Sequence, residues 1–253
     1  MLSILKRELS AYFNSALAWI VIAVFILISG FIFVSLLGIY GEQSLAASSS
    51  PFGAQQLNPT SRVMVPVFQW MGYLLLFFLP VLTMRLIAEE SRVGMLEMLF
   101  TYPLSDWEIV VGKFLGAMGV VSVMLALSSS YYLVLSRLID IEWRLVASGY
   151  LGVVLLSSAF VAFGIWASSL TSSQMVSAII TYGGLLASWL VVIAGDNIQT
   201  AKDIFGGLSP MDHLVEMARG TVSTHHLVYF LAWTGLFLFL TVRTLESRKW
   251  SGT

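Results

Sequence analysis

Long apolar runs alternate with short charged ones along this chain. No charged side chain lies between Glu8 and Glu42, and uncharged runs fill 63–84, 114–136 and 227–242, each bracketed by Arg, Lys or His. A further run, Leu145–Gly195, exceeds a single crossing, which needs about 20 residues at a rise of about 1.5 Å each. The polar cluster Ser168–Gln174 divides it. The pattern predicts six spans near 16–40, 63–84, 114–136, 145–167, 175–195 and 225–242, the last being short and borrowing from its flanks.

The segments between these runs carry their own patterns. Leu2, Leu5, Leu9, Tyr12 and Phe13 recur at helical spacing with Lys6, Arg7 and Glu8 between them. This suits a helix lying in the membrane interface, with an extension of the first span as the alternative. The stretch Gly41–Arg62 is rich in Ser, Gln, Ala, Pro and Asn and lacks apolar periodicity, which predicts a loop. After Pro103, Ser105 and Glu108 are spaced as a capping box, so the third span is expected to begin as a helix outside the bilayer. Upstream, Met95, Leu96, Met98, Leu99 and Phe100 crowd one side and Glu90 and Glu97 share the other, predicting a short amphipathic helix. Between spans five and six, Ser209 is placed as a cap, Pro210 at the first helical position and Gly220 as a stop. That helix of about ten residues is too short to span.

Composition agrees with a lipid environment. Hydrophobic residues make up 58% of 253 and charged residues 11%, against roughly 45–50% and about 25% in soluble domains. The Lys and Arg residues give the orientation. Lys6, Arg7, Arg85, Arg92, Lys113, Arg243, Arg248 and Lys249 fall on the side of the termini, eight against five on the other side. The positive-inside rule places the termini in the cytoplasm. Lys6, Arg7 and Trp250, basic and aromatic residues at span flanks, are read as interfacial. The first apolar run is far longer than a signal-peptide core, so no cleaved leader is expected. Cysteine is absent and the net charge is −1, which leaves no disulfide chemistry and no electrostatic footprint for nucleic acid.

Catalytic motifs are sparse. The only Gly-Lys pair, Gly112-Lys113, has Trp107 at the first glycine position of a P-loop and Phe114 in place of Ser/Thr. There is no H-E-x-x-H and no G-x-S-x-G. His213, His225 and His226 are expected to be interfacial polar residues, because the adjacent pair should point apart on a helix and no third ligand is evident. No span carries a charge near its middle, which disfavours an ion-coupled carrier. Gly112 and Gly116, the small residues Gly149, Gly152, Ser157, Ser158 and Gly164, and Gly183-Gly184 predict close helix packing.

The stretches TMRLIAEESRVGMLEML and TYPLSDWEIVVGKFLGA (83–117), KRELSAYFNS, GIWASSLTSSQ, LSPMDHLVEMARG and YFLAWTGLFLFLTVRTLESRKW together resemble ABC-2 type permeases, and among them the gliding-motility branch. The likeness covers nearly all of the chain except the 1–2 loop. Departures are His225-His226, where an acidic pair or an Asp-containing turn is usual, and Asn14-Ser15, where Ser-Pro is common. The resemblance implies an all-α polytopic protein with a single transmembrane domain over 1–253, acting as the permease subunit of an ATP-driven exporter in the bacterial inner membrane. It further implies two copies of a cytoplasmic ABC ATPase, which would hold ATP and Mg while this chain holds no cofactor and is no enzyme. A second permease copy or related subunit is implied too, and a gliding-type partner with a large extracytoplasmic domain. Glu89–Thr101 would be the coupling helix that docks on the ATPase, through Glu89, Glu90, Arg92, Leu96, Glu97, Leu99 and Phe100, with Gly94 permitting a bend. An inert interfacial helix is the alternative for that segment. A non-transporting membrane scaffold and an ion-coupled carrier are the alternatives for the whole chain.

Overall fold

The computed structural model describes residues 2–48, 60–94, 105–137, 141–197 and 209–251, and among these every regular element is helical. In lipid no water meets an unpaired amide, so a spanning backbone must satisfy its own hydrogen bonds. The elements are α1 (Leu2–Phe13), α2 (Ala16–Ser48), a π-helical turn (Thr60–Met64) leading into α3 (Val65–Thr83), α4 (Ala88–Arg92), α5 (Asp106–Leu135), α6 (Trp143–Ser169), α7 (Gln174–Asn197), α8 (Pro210–Ala218) and α9 (Thr224–Ser251). Five of them, α2, α3 continued into α4, α5, α6 and α9, contain stretches long and apolar enough to cross a membrane; in α7 the apolar stretch Gln174–Leu190 is shorter.

Two local signals hold to the residue. Ser105 caps α5, accepting from the Glu108 amide while the Glu108 carboxylate accepts from the Ser105 amide. Ser209 caps α8 by accepting from the Asp212 amide, Pro210 opens the helix, and Gly220 beyond its end adopts φ 91°. The segment after the first span differs from expectation. Instead of a loop from Gly41, α2 continues to Ser48. Glu42, Gln43, Leu45, Ala46 and Ala47 are good helix formers, and extending an existing helix adds one bond per residue without a new nucleus.

The core centres on α6, which packs against α3, α5, α7, α8 and α9. Its small residues permit this. Gly149 lies under the Phe68 ring, and Gly152 faces Leu214 and Met217 of α8. Hydroxyls bridge the helices at Ser128–Tyr150 (3.0 Å), Ser158–Thr234 (3.1 Å) and Ser29–Tyr131 (3.1 Å). Such bonds hold spans together where lipid supplies no hydrophobic drive between them.

Candidate functional site: the junction of α1, α4 and α5

The first span is separated from α1 by a turn at Asn14-Ser15, so α1 is an independent helix rather than the start of α2. Its inward face is Ile4, Glu8 and Tyr12, flanked by half-buried Leu5, Leu9 and Phe13. This face lies along α5, where Gly112, Gly116 and Gly119 form a seam. A Cβ at Gly112 would meet Ile4 Cγ2 at 2.7 Å, one at Gly116 would meet Glu8 Cβ at 2.7 Å, and one at Gly119 would meet Leu9 Cδ2 at 2.5 Å. The G-x-x-x-G pair thus receives the N-terminal helix rather than another span.

Burying Glu8 needs a counter-charge, and Lys113 on the same face of α5 supplies it. The Lys113 side chain is 1% exposed; its Nζ lies 3.2 Å from Glu8 Oε1 and 2.8 Å from Glu90 Oε1. Arg7 Nη2 reaches the same two oxygens at 3.0 and 3.1 Å. Two cations and two carboxylates therefore join α1, α4 and α5 in a neutral cluster. Buried charges persist only when paired in this way.

Neighbouring contacts extend the junction. The Tyr12 hydroxyl donates to the Leu82 carbonyl at 2.9 Å, and the Arg85 guanidinium sits over the Tyr12 ring. Burial pushes the Tyr12 hydroxyl well above its ordinary pKa, with Arg85 opposing. Arg85 Nη1 donates to Ser15 Oγ at 3.2 Å, and Arg248 Nη1 near the end of α9 donates to Ser91 Oγ at 2.9 Å. Ser168, from the last turn of α6, bonds to the backbone of the bend between α3 and α4. Between α1 and α4 a cleft of about 330 Å³ is lined by Glu8, Tyr12, Arg85, Glu89, Glu90 and Lys113.

The structure corrects the reading of Glu90. It is not part of an exposed charged face but turns inward onto Lys113, with a side chain 14% exposed. The reason is the buried ammonium, whose charge one carboxylate would only balance without filling its donors. Glu89 is half-buried and lines the cleft, and Arg92 is exposed. The coupling segment is also not one unbroken helix from Glu89 to Thr101. The helical turn ends at Arg92, and Gly94 takes φ 73°, a left-handed conformation that stops a helix. Leu96, Glu97, Leu99 and Phe100 lie outside the described residues, as does the Trp250 side chain. Lys6 is exposed, and Arg7, half-exposed, belongs to the ion cluster as well as to the interface. The cluster was not anticipated from sequence. Glu8, Glu90 and Lys113 each flank an apolar run and look like ordinary solvated ends.

The three histidines lie together at the opposite end of α9. His213 is buried, its Nδ1 lies 2.6 Å from His226 Nδ1, and its ring is stacked on Tyr229 and 5.2 Å from that of His225. The α8–α9 turn brings together residues that α9 alone would hold apart. Among the described residues no group of three His, Cys, Asp or Glu side chains is arranged to hold a metal ion.

Apolar helices long enough to cross the bilayer, with small-residue packing between them, make this a multi-pass membrane protein. A family model described as ABC-2 family transporter protein matches residues 2–250, and the chain belongs to that family, as a membrane permease subunit of an ABC exporter. A comparison with curated proteins gives no match.

Proposed function

We propose that this permease has six spans with both termini in the cytoplasm of a bacterial cell, and that the α1–α4–α5 junction is where a cytoplasmic ATPase transmits force to it. The observation that carries this is the convergence of Arg7, Glu90, Ser91, Lys113 and Arg248 at one end of the bundle. The first and last long helices reach the same end, which an even number of crossings requires, so α7 is counted as the fifth span. Because α4 is bonded to four other helices, a push at the segment after it moves them together. The functional assembly would be a pair of permease subunits, identical or related, with two ATPase copies. The gliding-motility branch, with its partner bearing a large extracytoplasmic domain, is a subgroup that the sequence resembles. The chain lacks a phosphate-cradling loop, so alone it should hydrolyse no ATP.

The docking surface itself is assigned to Glu89, Arg92, Leu96, Glu97, Leu99 and Phe100, with Glu90 now excluded as an internal pair. Co-purification with the co-encoded ATPase, at equal membrane expression, tests this. Glu97→Lys and the double change Leu96→Ala with Leu99→Ala should each lower ATPase recovery more than tenfold, since losing a desolvated interface charge costs about 2–5 kcal/mol. Unchanged recovery in both would move the docking site elsewhere, with α1 as the next candidate.

A further inference from the structure

The bend between α3 and α4 leaves backbone groups without helical partners, as every helix end does. At the start of α4, Ile87 has φ −119° and provides no side-chain cap. Ile87 and Ala88 are fully buried. The Ser168 hydroxyl accepts from both amides, Ile87 N at 3.1 Å and Ala88 N at 3.0 Å, and donates to the Met84 carbonyl at 3.0 Å. A hydroxyl has one proton and two lone pairs, so all its capacity is committed across the helix boundary. Two other buried serines of α6 behave differently: Ser157 donates to Val153 and Ser169 to Trp166, within their own helix. One turn before Ser168, Gly164 sits against the Thr83 side chain at the end of α3, leaving no room for a Cβ. Backbone contact and hydroxyl together clamp the bend onto α6.

We infer that Ser168 is a positioning residue that caps α4 from a different helix and makes α4 move as one body with α6. Displacement of α4 is then passed into the centre of the bundle instead of being absorbed at Met84–Ile87. The transmission half of this rests on the reading of the junction as the ATPase contact; the capping half does not.

Two measurements, on Ser168→Ala and on Ser169→Ala as an equally buried control, test it. In the purified chain, hydrogen exchange of the 86–93 amides should accelerate roughly tenfold in Ser168→Ala, the effect of losing a net hydrogen bond, and stay at the wild-type rate in Ser169→Ala. In the complex with its ATPase, spin labels at Ile39→Cys and Val228→Cys, placed in a chain with no native cysteine, should report a distance shift on adding ATP and vanadate. Ser168→Ala should abolish that shift while ATP hydrolysis continues, and Ser169→Ala should retain it. Equal exchange in the two variants, or a shift that survives in Ser168→Ala, overturns the inference. Absence of any shift or bound ATPase with the wild-type chain instead sinks the force-transmission reading, and the exchange result alone then decides the capping role.

Discussion

Removing the ammonium of Lys113 would leave Glu8 and Glu90 facing each other with only the half-exposed Arg7 between them. One Glu90 oxygen is already buried without a hydrogen-bond partner among the described residues, so the cluster has little slack. Breaking a buried pair from one side costs roughly 3–5 kcal/mol, whereas neutralising all members together costs much less. Lys113→Met should therefore lower the thermal unfolding temperature in detergent clearly, and adding Glu8→Gln and Glu90→Gln should restore much of the loss. A single variant as stable as the wild type would mean that the four charges are not coupled. None of this was legible residue by residue. The positions 8, 90 and 113 are far apart in sequence, and only tertiary packing reveals that Lys113 has left solvent. Ser168 was equally hidden, since it sits in a run of serines and threonines that reads as a polar break between two spans. The break is real, yet one member of it is a cap for another helix.

At the level of elements, the signals that depend on near neighbours were legible. Ser105 with Glu108, Ser209 with Pro210, and the apolar spacing of α1 all act within a few residues, and the helices begin where those residues put them. The extension of α2 past Gly41 is hidden in the sequence because its polar composition resembles a loop while its helix propensity is high. Gly94 reads as a place for a bend, and ending the turn there depends on its left-handed conformation. The α1–α5 seam gives the test at this scale. Gly116→Val places branched carbons where Glu8 Cβ already lies 2.7 Å from an added Cβ, and α1 cannot step back without losing the Lys113 pair. A cysteine at Ile4, buried in the native packing, should react several-fold faster with a water-soluble maleimide in the Gly116→Val background. Equal reactivity would mean that α1 is not held by this seam.

For the molecule as a whole, charge bracketing found five helices long and apolar enough to cross a membrane, while the expected fifth span falls on α7, whose described apolar stretch is shorter. It located their ends poorly, since α2 and α5 run past the uncharged stretches at 16–40 and 114–136. The 30 residues of α5 extend about 45 Å, more than the roughly 30 Å of hydrocarbon. Topology reporters check the arrangement. Fusions after residue 253 and within 95–104 should read cytoplasmic, and those within 49–59 and 198–208 should read external. A C-terminal fusion reading external would break the six-span count.

The N-terminal helix also has a consequence for how the protein is made. Glu8 and Lys113 are 105 residues apart, and a ribosome adds roughly 5–20 residues per second. The docking groove for α1 therefore does not exist until roughly 5–20 s after α1 has emerged. During that interval α1 lacks the glycine seam of α5, although Leu82 and Arg85, the partners of Tyr12, are already made. Both acidic members of the cluster, Glu8 and Glu90, are synthesised before the lysine that neutralises them. The arrival of α5 thus closes a lock whose other parts are already waiting, and a nascent chain stalled before it would carry a first helix without its seam.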